Sequence, residues 1–227
     1  MIWVVNWLID FGKKINNIMK RTKYKLPTHG ELTHINIDLE KLRAATDKLA
    51  DEYVDVKTAN KALCDNHMAL SKSVYDNFTQ INLTELNGEE LPYTDDIKER
   101  LRRNEEKLYN KPNDKLIGSY FEEILNQFKC DKMRVRITKL DGHTNVPMHI
   151  DYDPSYATRV VIPVYTNDKV NNVFKVKGEH VETHLEAGKA YFFNTGFAHG
   201  VFNASDESRI AFMFSLDGQD DITDIEL

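Results

Sequence analysis

A chain of 227 residues with 41% apolar content is long enough for one generous core, or for a core domain with an appendage. Its net charge of −6 and pI near 5.8 argue against a nucleic-acid binder, which would carry a basic stripe. Two cysteines, Cys64 and Cys130, fit neither a metal spacing nor a disulfide framework, so reduced thiols in a cytoplasmic protein are the expectation.

The first stretch, MIWVVNWLIDFGKKINNIMK, places Val4, Leu8, Phe11, Ile15 and Ile18 on one helical face, and Asn6, Asp10, Lys13, Asn17 and Lys20 on another. Its apolar opening is too short to span a bilayer, and Asn6 and Asp10 interrupt it. It also lacks a basic n-region and a small-residue cleavage site. Residues 1–25 therefore read as an amphipathic helix or extension. Trp3 and Trp7 beside a lysine-bearing face leave surface membrane contact through residues 1–18 as the alternative. Met19 is a second candidate start.

From there to residue 130 helical signals dominate. DLEKLRAATDKLADEY (38–53) begins with Asp38 as an N-cap and repeats Leu39, Leu42, Ala45 and Leu49 at helical spacing. TDDIKERLRRNEEKLY (94–109) carries charges throughout and reads as a solvated helix capped by Thr94. LIGSYFEEILNQFKC (116–130) sets Leu116, Tyr120, Ile124 and Phe128 on one stripe that would pack on a sheet. Between these, YDNFTQINLTEL alternates as a strand bearing Phe78 and Ile81, and NGEELPYTDD is a turn-rich loop.

After residue 131 the pattern changes to short strands separated by turn residues: KMRVRITKL, MHID, TRVVIPVY, NVFKV, HVETHL, KAYFFN, HGVFN and RIAFMFSL. Eight such strands are the number in a jelly roll. Helices first and strands afterwards indicate an α+β fold, a double-stranded β-helix (jelly-roll or cupin-like) core buttressed by N-terminal helices. Residues 26–227 are expected to form a single domain, with 26–130 as mainly helical support and 131–217 as the core.

The chemistry concentrates in PMHIDYDPSYATR (147–159). His149 and Asp151 alternate with Met148 and Ile150, so in an extended chain the two polar groups share one side. Such a pair is either hydrogen-bonded to itself or two ligands of one metal. His199, flanked by Gly196 and Gly200 in NTGFAHGVFN, completes a two-histidine, one-carboxylate set, the facial triad of non-haem Fe(II) oxygenases. Arg209 opens the last strand, sharing a face with Ala211, Met213 and Ser215, while Ile210, Phe212, Phe214 and Leu216 share the other. Arg159 shares a face with Val161, Pro163 and Tyr165. Two arginines pointing into one barrel with a metal would suit a dicarboxylate. HVETHL reads as a solvated strand face carrying His180 and His184, with Val181 and Leu185 inward. His143 reads as an exposed turn residue. Tyr152 and Tyr156 either line a substrate entrance or pin their loop.

HID, a histidine 48 residues after Asp151 and an arginine ten later resemble the 2-oxoglutarate/Fe(II)-dependent dioxygenases, most closely the aspartyl/asparaginyl β-hydroxylase branch that includes proline 3-hydroxylase-like enzymes. RITKLDGHTNVPMHID, TRVVIPV and GEHVETHLEAGKAYFFNTGFAHGVFNASDESR carry the resemblance, which spans residues 131–217. It implies iron ligation by His149, Asp151 and His199, and 2-oxoglutarate held by Arg209 and Arg159, with Thr138 helping at the co-substrate carboxylate. The reaction implied is hydroxylation of an amino acid, free or within a peptide, with succinate and CO2 as co-products, O2 as oxidant and ascorbate as reductant. Some β-hydroxylases of the branch lack the carboxylate ligand, whereas Asp151 is present here, so a protein-aspartate substrate does not follow. The rival readings are a cupin-type metal enzyme that does not use 2-oxoglutarate, and a non-catalytic jelly-roll binding module.

Overall fold

The computed structural model describes residues 20–59, 77–88 and 105–226. The expectations for the amphipathic opening stretch, Met19, Cys64, and Thr94 with most of the helix after it lie outside these residues.

Among the described residues, five strands precede the core: β1 (His29–Glu31), β2 (Val54–Asp55), β3 (Phe78–Asn82), β4 (Thr84–Glu85) and β5 (Lys111–Pro112). Eight follow: β6 (Lys132–Leu140), β7 (Thr144–His149), β8 (Thr158–Tyr165), β9 (Val170–Val176), β10 (Glu179–Thr183), β11 (Tyr191–Phe193), β12 (Ala198–Asn203) and β13 (Arg209–Leu216). They form two main antiparallel sheets. The larger runs β1-β11-β8-β13-β6-β3-β2 and the smaller β10-β9-β12-β7; β4 and β5 pair separately. The eight later strands divide between the two sheets as a jelly roll does, and β1, β2 and β3 widen the larger one.

Alternation decides which residues fill which layer. On β13, Phe212, Phe214 and Leu216 face the helices, where Phe121 packs 5.0 Å from Phe212 and Phe128 stands edge-on 4.9 Å from Phe214. Ala211 and Met213 face the smaller sheet, with Val161, Phe174 and Phe193. On β8 the same rule sends Val160, Ile162 and Val164 to the helices and Val161 inward. A bulge then interrupts it: Ile210 pairs with Tyr165, but Ala211 pairs with Pro163. The extra residue turns Tyr165 away from the face of Arg159, and its hydroxyl bonds Asp47 instead.

The supporting helices are shorter than their sequence patterns. Helix α1 (Leu39–Asp47) begins at Asp38, whose carboxylate accepts the amide of Lys41 at 3.1 Å, and ends before the 3-10 turn Ala50–Glu52. A single turn, α2 (Val56–Ala59), follows β2. Helix α3 (Tyr120–Leu125) starts four residues later than the Leu116 stripe suggests, because Gly118 sits at φ +70 and Ser119 caps the amide of Glu122. Leu116, Ile124 and Phe128 are nevertheless all buried in the helix-side core.

Two further expectations are corrected. Val181 is 38% exposed instead of inward, because β10 is the outer strand of a hairpin that turns at Lys177 and Gly178, both with positive φ, and extends past the core. Only Leu185 of that stretch is buried. The segment read as a solvated helix closes with a 3-10 turn, Glu105–Leu108, in which Glu106 is 2% exposed.

Candidate active site

The smaller sheet supplies the histidines. β7 and β12 are neighbours in register, His149 opposite His199, and the two rings lie 4.3 Å apart between centroids. Between His199 and Val201 the ladder slips, because β7 holds one residue more than β12 across Pro147 and Met148. This bulge on an edge strand is where a proline, with no amide hydrogen to give, is tolerated. Gly200 permits the approach: a Cβ there would lie 2.8 Å from the Val146 carbonyl oxygen.

Each histidine donates Nδ1–H to the carbonyl two residues before it, His149 to Pro147 at 2.9 Å and His199 to Phe197 at 3.0 Å. Each Nε2 therefore keeps its lone pair. Asp151, just past β7, is anchored to the β11–β12 turn by its amide, which donates to the Thr195 carbonyl at 3.1 Å, and by the Thr195 hydroxyl, which donates to Tyr152. The ligand atoms of His149, Asp151 and His199 all lie within 4.8 Å of one another.

Protonation suits metal binding. Burial above all, opposed by Asp151, lowers the pKa of His199 to about 4, so its ring is neutral near pH 7. Burial would raise the pKa of Asp151, but Arg159, then His199 and His149, hold it well below the usual carboxylate range. Two imidazoles and one carboxylate are the donor set for a borderline divalent ion such as Fe(II), with coordination positions left on the open side. The residues fit such an ion.

The triad opens on a cavity of about 400 Å³ between the sheets. Arg209 enters it from the facing sheet, 4% exposed, with no hydrogen bond or ion pair to any described residue; burial pushes its pKa down to about 10. Arg159 also lines the cavity, but it is not a second free clamp. Its Nη2 lies 2.7 Å from Glu106 Oε1 and 3.6 Å from Asp151 Oδ2, and its Nε donates to Ser215 Oγ at 3.0 Å. Thr138 lies behind the cavity wall, fully buried, donating to the Ala211 carbonyl at 3.3 Å. Tyr152 and Tyr156 are not in the cavity wall, and His143 is exposed and paired with Asp206. His180 and His184 are exposed on and beside β10.

Sequence reasoning missed the cluster at the other end of the cavity. Glu106 accepts from Arg134 at 2.6 Å, Arg159 at 2.7 Å and the Ser215 hydroxyl at 2.6 Å. Burial works against its ionisation, yet Arg159, Arg134 and Arg136 bring its pKa down to about 2. Arg134 sits at a bulge in β6 with φ 49, a conformation that costs a non-glycine residue on the order of 1 kcal/mol. The alternation of β6 held a usable signal, since Arg134, Arg136 and Thr138 fall opposite Val135 and Ile137. Nothing local in sequence pointed to Glu106.

Residues 115–217 match the aspartyl/asparaginyl β-hydroxylase family. The match starts upstream of the 131–217 resemblance and takes in α3, and it supports an enzyme of the hydroxylase class. No curated protein matches the chain. Among solved structures, a 2OG-Fe(II) oxygenase-family oxidoreductase from Burkholderia pseudomallei is 13% identical, covering 79% of this chain and 90% of its own, with TM-score 0.40. A cupin domain from Bordetella pertussis is 19% identical over 40% of this chain and 86% of its own, with TM-score 0.31. Both scores are too low to bear on activity. Among the described residues, no helix is long and apolar enough to cross a membrane.

Proposed function

We propose that this protein is an Fe(II)- and 2-oxoglutarate-dependent dioxygenase of the β-hydroxylase type that hydroxylates an amino acid, free or within a peptide. The observation that carries the reading is the pairing of a His149–Asp151–His199 donor set with a buried arginine that has no partner among the described residues, in one cavity. A buried guanidinium without an anion is costly, and a carboxylate meets its fork with two hydrogen bonds.

The chemistry supplied by ferrous iron at such a site is O2 activation that couples oxidative decarboxylation of 2-oxoglutarate to hydroxylation of a C–H bond. His149, Asp151 and His199 hold the metal from the smaller sheet. Arg209 receives the distal carboxylate of 2-oxoglutarate from the larger one, which fixes the co-substrate's orientation across the cavity. Arg159 positions Asp151, itself held in place by Glu106 and Ser215. Phe193, edge-on at 5.3 Å, and Phe174, tilted at 6.3 Å, cover the buried side of His199 and would keep water from it.

The deciding experiment is anaerobic titration of the purified chain with Fe(II) and then 2-oxoglutarate, followed by admission of O2 with ascorbate as reductant. Iron binding, a visible charge-transfer band on adding 2-oxoglutarate and slow succinate release are expected. Iron binding with no response to 2-oxoglutarate would favour a cupin-type metal enzyme, and failure to bind iron would leave a binding module.

A further inference from the structure

The triad depends on irregular backbone as well as on strands. Asp151 lies in the loop between β7 and β8, and the turn from Asn194 to Phe197 leads from β11 to His199 on β12. Each piece needs ties if it is to hold a ligand still, because loops without them are the mobile parts of a fold. One tie, from the Asp151 amide to the Thr195 carbonyl, joins the two directly. A second comes from a segment distant in sequence, the 3-10 turn Lys23–Lys25 and the residues after it.

Asn194, fully buried, fixes that segment in place. Its Nδ2 donates to the carbonyls of Lys23 at 3.1 Å and Pro27 at 2.9 Å, and its amide donates to the Thr28 carbonyl at 2.8 Å. Lys23 then reaches both pieces. Its amide donates to Asp153 Oδ2 at 3.2 Å, two residues past Asp151, while Asp153 Oδ1 accepts the amide and the hydroxyl of Ser155. Its Nζ donates to the Gly196 carbonyl at 2.7 Å. Gly196 makes room for the lysine stem, since a Cβ there would lie 2.9 Å from Lys23 Cβ and 3.2 Å from Asp153 Cα. The ammonium also stands 5.7 Å from the ring of Phe197, whose carbonyl orients His199.

We propose that Lys23 is a positioning residue for the metal centre: by bridging Asp153 and Gly196 it sets the spacing between the loop that carries Asp151 and the turn that aims His199. The inference rests on the Fe(II)-dependent reading above. Metal ligands must be held to within about 0.5 Å of their productive geometry, and the residues behind them supply that precision. The N-terminal segment thereby takes part in the site, although neither Lys23 nor Asp153 lines the cavity.

The test compares variants of the full chain. In Lys23→Met the stem still packs on Gly196, but the bond to its carbonyl is gone. Fe(II) affinity, measured by anaerobic calorimetry, should fall about 3- to 10-fold, less than the roughly 10- to 100-fold typical of groups bonded directly to a ligand. With Co(II) as the probe, the visible d–d bands should shift or broaden. In the metal-free protein, the amides of residues 194–199 should exchange with deuterium faster. Its Tm should fall by no more than about 4 °C, the shift that one lost hydrogen bond brings in a chain of this size. Lys23→Arg should recover most of the affinity, and Asp153→Ala, which cuts the other arm, should act in the same direction as Lys23→Met. Arg21→Met is the control: it removes an anchor to the Ile222 and Ile225 carbonyls, and should lower Tm while Fe(II) affinity stays within about twofold. Unchanged Fe(II) affinity and Co(II) bands in both Lys23→Met and Asp153→Ala, or an equal loss of affinity in Arg21→Met, would overturn the proposal. Failure of the wild type to bind Fe(II) would overturn the hydroxylase reading and the proposal with it, a result distinct from one confined to the variants.

Discussion

Arg159 stands with its guanidinium 3.6 Å from the Asp151 carboxylate and 2.7 Å from that of Glu106, so one buried cation ties a candidate metal ligand to a 3-10 turn in the N-terminal half. Its charge holds Asp151 ionised and its fork limits where that carboxylate can go. Glu106 therefore supports the triad without touching it.

Removing that support has a pH signature. Glu106 ionises at about 2 when folded, against an ordinary value of 4.5, so its charge stabilises the fold above pH 4.5. The contribution is lost as pH falls from 4.5 through 2, since the unfolded state binds the proton first. The size is roughly 3 kcal/mol, treating a shift of one pKa unit as about 1.4 kcal/mol. Urea unfolding followed against pH should show this acid limb in the wild type. In Glu106→Gln the limb should flatten, and stability at pH 7 should already be lower by a similar amount.

The triad makes a sharper demand. His199→Ala removes a neutral imidazole whose Nε2 is pre-aimed by the Phe197 carbonyl, and Fe(II) affinity should fall at least about 100-fold. Asp151→Asn keeps the shape but loses the anionic donor, and should weaken binding less. Anaerobic calorimetry with Fe(II) measures both. Unchanged affinity in His199→Ala would remove the metal site.

Arg209 should behave in opposite ways in the empty and loaded protein. Arg209→Met deletes a buried charge with no partner among the described residues, so the ligand-free protein should unfold at the same temperature or a higher one. The same change should raise the 2-oxoglutarate dissociation constant about 10- to 100-fold, with Fe(II) affinity retained. Thermal unfolding with and without 2-oxoglutarate reads both effects in one experiment.

Gly200→Ala tests the geometry of the ladder. The added methyl would meet the Val146 carbonyl oxygen at 2.8 Å, and main-chain atoms on a neighbouring strand cannot step aside as a side-chain tip can. A loss of about 1–3 kcal/mol is expected, together with weaker Fe(II) binding as His149 and His199 are forced apart. Loss of stability with intact metal affinity would show that β7 can shift without disturbing the site.

Much of this protein was legible in its residues. β6, β8 and β13 occupy the limits their alternation suggests, because a strand buried on both sides must sort side chains by face and leaves a pattern of period two. The shared side of His149 and Asp151 was legible because they alternate at the end of a strand, whereas the tertiary structure set His199 opposite His149 on the neighbouring strand. What only the tertiary structure decided were matters of who meets whom. Arg159 and Arg209 look alike along the chain, yet one is held by Glu106, 53 positions away, and the other faces an open cavity. Val181 and Leu185 look alike too, but one lies on an edge hairpin and the other under the sheet. Alternation records which side a residue faces, and carries nothing about the partner that waits there.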